Sequence, residues 1–142
     1  MSNQNLSAKE YLSRAFRIDQ RINGKLEEVM SLRALAEKAS GVLTATPISK
    51  GGIPKGMEDT IVKLIDLETV ISEDLKILVD TKLEITTIIK CVEVTELRTL
   101  LEMRYLNFMT WEHISDELHC ALRHVFRLHG KALGEVDRVR RA

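Results

Sequence analysis

Proline is almost absent: Pro47 and Pro54 are the two in 142 residues, and both fall in one short stretch. Aromatic residues make up only 4% of the chain. An all-β sandwich needs many turns rich in Gly and Pro, so the long turn-free stretches here point to helices. Cysteine is scarce too. Cys91 and Cys120 lie far apart and match no metal spacing, which sets aside a disulfide framework and leaves reduced thiols as the plain reading. Charge of one sign is not in excess, because 21 Lys and Arg balance 21 Asp and Glu. A net charge of zero argues against a generic polyanion binder, so any affinity for nucleic acid has to come from a local patch. No apolar run is long enough to span a bilayer and no signal peptide opens the chain. A soluble, cytoplasmic protein with no membrane partner is expected.

What is present is charge, at 30% of residues, and it is segregated. Residues 119–142 hold six Arg or Lys against two acids, whereas residues 57–90 hold four against eight. The apolar residues recur by threes and fours. Ser7 and Glu10 form a capping box with Leu6 and Tyr11 placed as its hydrophobic staple. From there Ala8, Tyr11, Ala15, Ile18, Ile22, Val29, Leu32, Ala36 and Ala39 predict one long helix to about Ser40. It reads equally as a coiled-coil strand or as an amphipathic core helix. Lys25 falls where its seam expects an apolar residue, and Gly24 beside it is placed to loosen the helix. Gly41 to Gly56 is the one clear linker, with Pro47, Gly51, Gly52 and Pro54 inside it. It lacks the Gly-x-x-x-x-Gly-Lys-Ser/Thr pattern, so it is no phosphate loop.

A second long helix is expected over about 57–90. Glu58 and Asp59 favour its positive end, and Ile61, Leu64, Ile71, Leu75, Leu78, Ile85 and Ile89 form its main seam. The run ITTII at 85–89 continues that stripe and is read as helix. Helix, linker and helix imply an antiparallel hairpin. Its apolar faces are wider than one partner covers, so the surplus is expected to pack on the C-terminal module or on a second chain, making a homo-oligomer.

The rest of the chain is organised around 95–136. Leu97, Leu100, Leu101 and Tyr105 mark a leading helix to about Leu106, and Asn107, Phe108 and Met109 a break. Thr110 stands where an N-cap belongs. Trp111, Ile114 and Leu118 mark a second helix, with Trp111 as core packing. His119, Cys120 and Ala121 leave room only for a tight turn. A third helix begins near Leu122, with Val125, Leu128, Ala132, Leu133 and Val136 on its inner stripe. Such an arrangement is that of a helix-turn-helix. The outer face of the third helix carries Arg123, His124, Phe126, Arg127 and Lys131. Arg123 and Arg127 are one turn apart, and the Arg fork suits guanine or phosphate. Phe126 is placed either to touch a thymine methyl or to cover the hairpin. Arg104 is placed either to meet the DNA backbone or to make an internal salt bridge.

The run LLEMRYLNFMTWEHISDELHCALRHVFRLHGKAL resembles region four of bacterial primary sigma factors. It is closer still to small prophage-encoded, ArpU-like proteins, in which this module follows a long helical half. Two positions depart from the pattern: His119 where the family often has Gly, and Ala121 where it often has Ser or Thr as N-cap. The resemblance implies an all-α fold, a long antiparallel helical hairpin followed by a sigma region four-like helix-turn-helix. The division expected is a hairpin over 1–92, with its linker at 41–56, and a DNA-binding module over 93–142. It implies a sequence-specific regulator of phage or prophage transcription whose recognition helix is about 122–136. Thr110, Leu122, Arg123, His124, Phe126, Arg127 and Lys131 would contact double-stranded DNA, and RNA polymerase is a further expected partner. The alternative is a packaging or structural adaptor of the small-terminase kind, which also joins a helix-turn-helix to oligomerising helices.

Little here suggests catalysis or a cofactor. His113, His119, His124 and His129 show no metal spacing and are expected at the surface or facing phosphate. Asp116 and Glu117 are adjacent and diverge on a helix, unlike paired catalytic carboxylates. No Ser, His and Asp order suggests a nucleophile. The protein is therefore read as a non-enzyme.

Overall fold

The structure, a computed structural model, describes residues 5–45 and 56–142, with side chains over 5–39 and 56–142. Among the described residues all regular secondary structure is helical: α1 (Ala8–Leu12), α2 (Arg14–Ala45), α3 (Met57–Lys90), α4 (Thr95–Leu101), a π-helical turn (Glu102–Leu106), α5 (Trp111–Leu118) and α6 (Leu122–Arg141). No described helix is long and apolar enough to cross a membrane.

The capping box starts α1 as expected. Ser7 Oγ accepts from the Glu10 amide at 3.2 Å, and the Glu10 carboxylate accepts from the Ser7 amide at 3.3 Å. The single long helix predicted from here is instead interrupted at Ser13. Its hydroxyl donates to the Lys9 carbonyl at 2.6 Å, beside its own amide at 2.9 Å, and the backbone leaves the helical ψ there, at −7°. Helix α2 then runs past the expected stop at Ser40 to Ala45, and straight through Gly24. A single glycine costs only about 1 kcal/mol in a helix, too little to end one this long. Residues 46–55 of the expected linker lie outside the described residues. Helix α3 keeps the predicted bounds, ITTII included. Thr86 and Thr87 send their hydroxyls to the carbonyls of Lys82 and Leu83, so neither leaves a polar group stranded in the helix.

The chain forms two compact units, Met1–Asp19 with Leu78–Ala142, and Gln20–Ile77. In the second unit Arg21 and Lys25 reach Asp74, and Arg33 reaches Glu68. Partner numbers fall on α3 as they rise on α2. Asp74 is buried and accepts from Arg21 Nε at 3.3 Å and from Lys25 Nζ at 2.6 Å. These bonds, Lys25 first and Arg21 second, hold its carboxyl below the usual range. Lys25 is thus no flaw in the seam. It neutralises an acid that the same seam buries.

In the first unit α4, α5 and α1 all pack against α6. Leu12, Ile85, Ile89, Val92, Leu100, Leu101, Ile114, Val125 and Val136 are its fully buried large side chains. The leading helix is not regular to its end. From Glu102 it widens into the π-helical turn, closed by the Asn107 amide on the Glu102 carbonyl at 3.0 Å.

Candidate nucleic-acid interface

Local chemistry fixes α5 at both ends. Phe108 leaves the preceding break in the left-handed region, with φ 55°. Thr110 then caps α5, its Oγ1 accepting from the His113 amide at 3.2 Å. His119 ends the helix in the left-handed conformation, φ 52° and ψ 44°. Glycine adopts that conformation freely, and a residue with a Cβ pays on the order of 1 kcal/mol. Ser115 offsets this by clamping the turn: its hydroxyl donates to the Cys120 carbonyl at 2.5 Å, and its carbonyl accepts from the Cys120 amide at 3.2 Å. Ala121 opens α6 without any side-chain cap.

Helix α6 divides into an inner and an outer face. Val125, Leu128, His129, Ala132 and Val136 are buried. Arg123, Phe126, Arg127 and Lys131 are exposed, while Leu122 and His124 are half-buried. At about 100° per residue, Arg127 lies about 40° round the helix from Arg123 and Lys131 about 80°. Gly130 and Gly134 fall beside them, and a Cβ on either would meet nothing within 4 Å. Among the described residues, none of Arg123, Arg127 and Lys131 takes part in an ion pair. Arg138 and Arg140 of α6 differ. Arg138 pairs with Glu135, and Arg140 donates to the Leu6 carbonyl at 2.9 Å and lies over the Tyr11 ring. The structure therefore groups Arg123, Arg127 and Lys131 on one open face. Thr110 stands apart at the start of α5, its hydroxyl committed to the cap.

Three expectations need correction. His129 is neither at the surface nor open to phosphate: it is only 9% exposed. Its Nε2 lies 2.6 Å from the Tyr105 hydroxyl, and its ring stands edge-on to Trp111 at 4.5 Å. Burial, helped by the charges of Lys9 and Arg104, pushes its pKa down to about 4, and burial pushes the Tyr105 hydroxyl up to about 12. Trp111 is half-buried rather than enclosed, covering His129 with Phe126 edge-on at 5.4 Å and the Arg104 guanidinium 4.3 Å from its centroid. Among the described residues Arg104 makes no salt bridge; it donates to the Met109 carbonyl at 2.9 Å and so ties the break back to the π-helical turn. Phe126, 47% exposed, leans on Trp111 with its remaining surface open. Sequence reasoning missed His129 because i, i+4 and i+7 spacing (Val125, His129, Ala132, Val136) places it on the inner stripe, and its polarity drew it outward. The spacing was the better signal.

The buried histidine gives a pH prediction. Its folded pKa lies below the ordinary 6.5, so the unfolded chain binds a proton first as pH falls. Stability is therefore full above 6.5 and is lost on the way down to about 4. Above about pH 5 ordinary carboxylates stay ionised and contribute little to that slope. Melting curves from pH 7 down to about 5 should show a falling melting temperature, and His129→Gln should flatten it. Parallel curves for the two proteins would mean that His129 titrates freely.

No group of His, Cys, Asp and Glu among the described residues could hold a metal ion. No curated protein and no solved structure matches the chain. One family does match, over residues 38–137, under the description "Protein of unknown function (DUF1492)". The open basic face of α6 lies inside that span, and the chain belongs to the DUF1492 family.

Proposed function

We propose that α5, its tight turn and α6 work as a helix-turn-helix on double-stranded DNA, with α6 as the recognition helix. In this reading the protein is a sequence-specific, sigma-like regulator of phage or prophage transcription, and RNA polymerase is a second partner. The long antiparallel hairpin of α2 and α3 serves assembly. The observation that carries the reading is the open face of α6. Arg123, Arg127 and Lys131 stand exposed there, and among the described residues no acid is bound to them. Cations that make no internal ion pair keep their full attraction for phosphate, and Arg adds bidentate recognition of guanine. Gly130 and Gly134 leave room for a phosphate backbone to approach the same face. Recognition helices present such a face at the second helix of the pair.

The test is selection of bound fragments from a library of the protein's own genome. A small set of fragments sharing one sequence is expected. Neutralising two or three phosphates predicts that affinity falls about 10–40-fold between roughly 50 and 200 mM salt. Failure to enrich any fragment would overturn the reading, and so would binding that ignores salt.

A further inference from the structure

Helix α3 carries two apolar faces. One is buried and holds Ile71, Leu78, Ile85 and Ile89. The other is centred about 100° away and holds Ile61, Ile65, Leu75, Val79 and Leu83, which are 41% to 62% exposed. Exposed Leu or Ile side chains are ordinary one at a time, but a row of them at helical spacing is a seam without its partner.

Apart from Leu75, whose counterpart is Thr69, the seam is symmetric about Ser72. Ile61 and Leu83 stand eleven positions either side of it, Ile65 and Val79 seven, and Glu68 and Lys76 four. We infer that a second copy of this chain docks on this face, its α3 antiparallel to the first, with the two-fold axis at Ser72. Ile61 then faces Leu83 of the second copy, Ile65 faces its Val79, and Glu68 faces its Lys76. The symmetry makes each contact twice, as a closed two-fold interface requires. Ser72 meets its own counterpart, and its small side chain lets the helices approach. Parallel pairing in register would instead set Glu68 on Glu68 and Lys76 on Lys76, which like charges disfavour. Lys76 makes no ion pair among the described residues, and only Oε1 of Glu68 is taken, by Arg33 at 2.7 Å. The inference deepens the assembly role given to the hairpin and stands independently of DNA binding.

Light scattering and sedimentation on the full chain test it. The expected mass is twice the 16.1 kDa of the chain. Val79→Glu with Leu83→Glu should return it to the single-chain mass with unchanged helical circular dichroism, since both positions are exposed. Lys76→Glu should weaken the dimer, and adding Glu68→Lys should restore it. Orientation is read by oxidation in a Cys91→Ser, Cys120→Ser background. Ser72→Cys should give a linked dimer. Ile61→Cys together with Leu83→Cys should also link, and neither of these two alone. A chain that stays monomeric at high concentration overturns the proposal. So does a ring of many subunits, a dimer that survives the two glutamates, or self-linking by Ile61→Cys alone.

Discussion

Arg123→Ala together with Arg127→Ala should abolish selective binding of the DNA fragments that the parent protein enriches. Each side chain is expected to contribute about 1–3 kcal/mol if it reads a base, a factor of roughly 5–150 in affinity. The two lie one turn apart and share a contact surface, so their effects need not add. Both are exposed and make no ion pair among the described residues, so the melting temperature should stay where it is. Single substitutions separate the roles. Loss of a phosphate contact weakens all sequences alike and lowers the salt slope by about one, whereas loss of a base contact relaxes specificity at one position. Lys131→Ala belongs in the same series as a phosphate contact. An unchanged gel shift for the double variant would remove α6 as the recognition helix.

The second large effect is Ile114→Ala. Helix α5 has eight residues, and Ile114 is the one that is buried. So short a helix is not stable alone and holds its shape through what it packs against. Removing a fully buried Ile side chain leaves a cavity and typically costs about 2–5 kcal/mol, a large share of a small domain's margin. Thr110 and Ser115 would still cap and clamp α5, but only the half-buried Trp111, edge-on to Phe126 and His129, would still hold it to α6. Hydrogen exchange should then show α5 opening far more readily, with DNA binding lost alongside. Ile114→Val is the control, at about 0.5–1.5 kcal/mol. The arginine variants lose binding with the fold intact, and the Ile114 variant loses both. An Ile114→Ala protein with the parental melting temperature would show that α5 contributes nothing to the core.

How far the fold could be read from residues depended on the range of the interactions. Ser7 with Glu10, and Thr110 with the His113 amide, are contacts three residues apart, and both caps were legible in the string of letters. So were the bounds of α3, because its stripe repeats over nine turns' worth of residues without a Pro or Gly. The pattern weakened wherever a side chain could choose between its own backbone and a distant partner. At Ser13 the backbone turns to ψ −7° and interrupts a helix that the stripe alone carried through.

The sequence by itself determined that the chain is helical, where most helices begin, and that α6 has a basic outer face. Caps, propensity and 3.6-residue spacing act within a few residues, so they are written locally. Only the tertiary structure decided what the polar residues do. Lys25 meets Asp74, 49 positions away, and an apparent defect becomes the partner of a buried charge. His129 meets Tyr105, 24 positions away, and a surface histidine becomes a buried neutral one. Arg140 reaches the Leu6 carbonyl, 134 positions away, and a cation that the sequence counted with the basic patch becomes a clasp. Arg123, Arg127 and Lys131 remain open on α6. A polar side chain is indifferent to its own sequence neighbourhood and is committed by whichever group folding brings within hydrogen-bond reach, and no local pattern records that group.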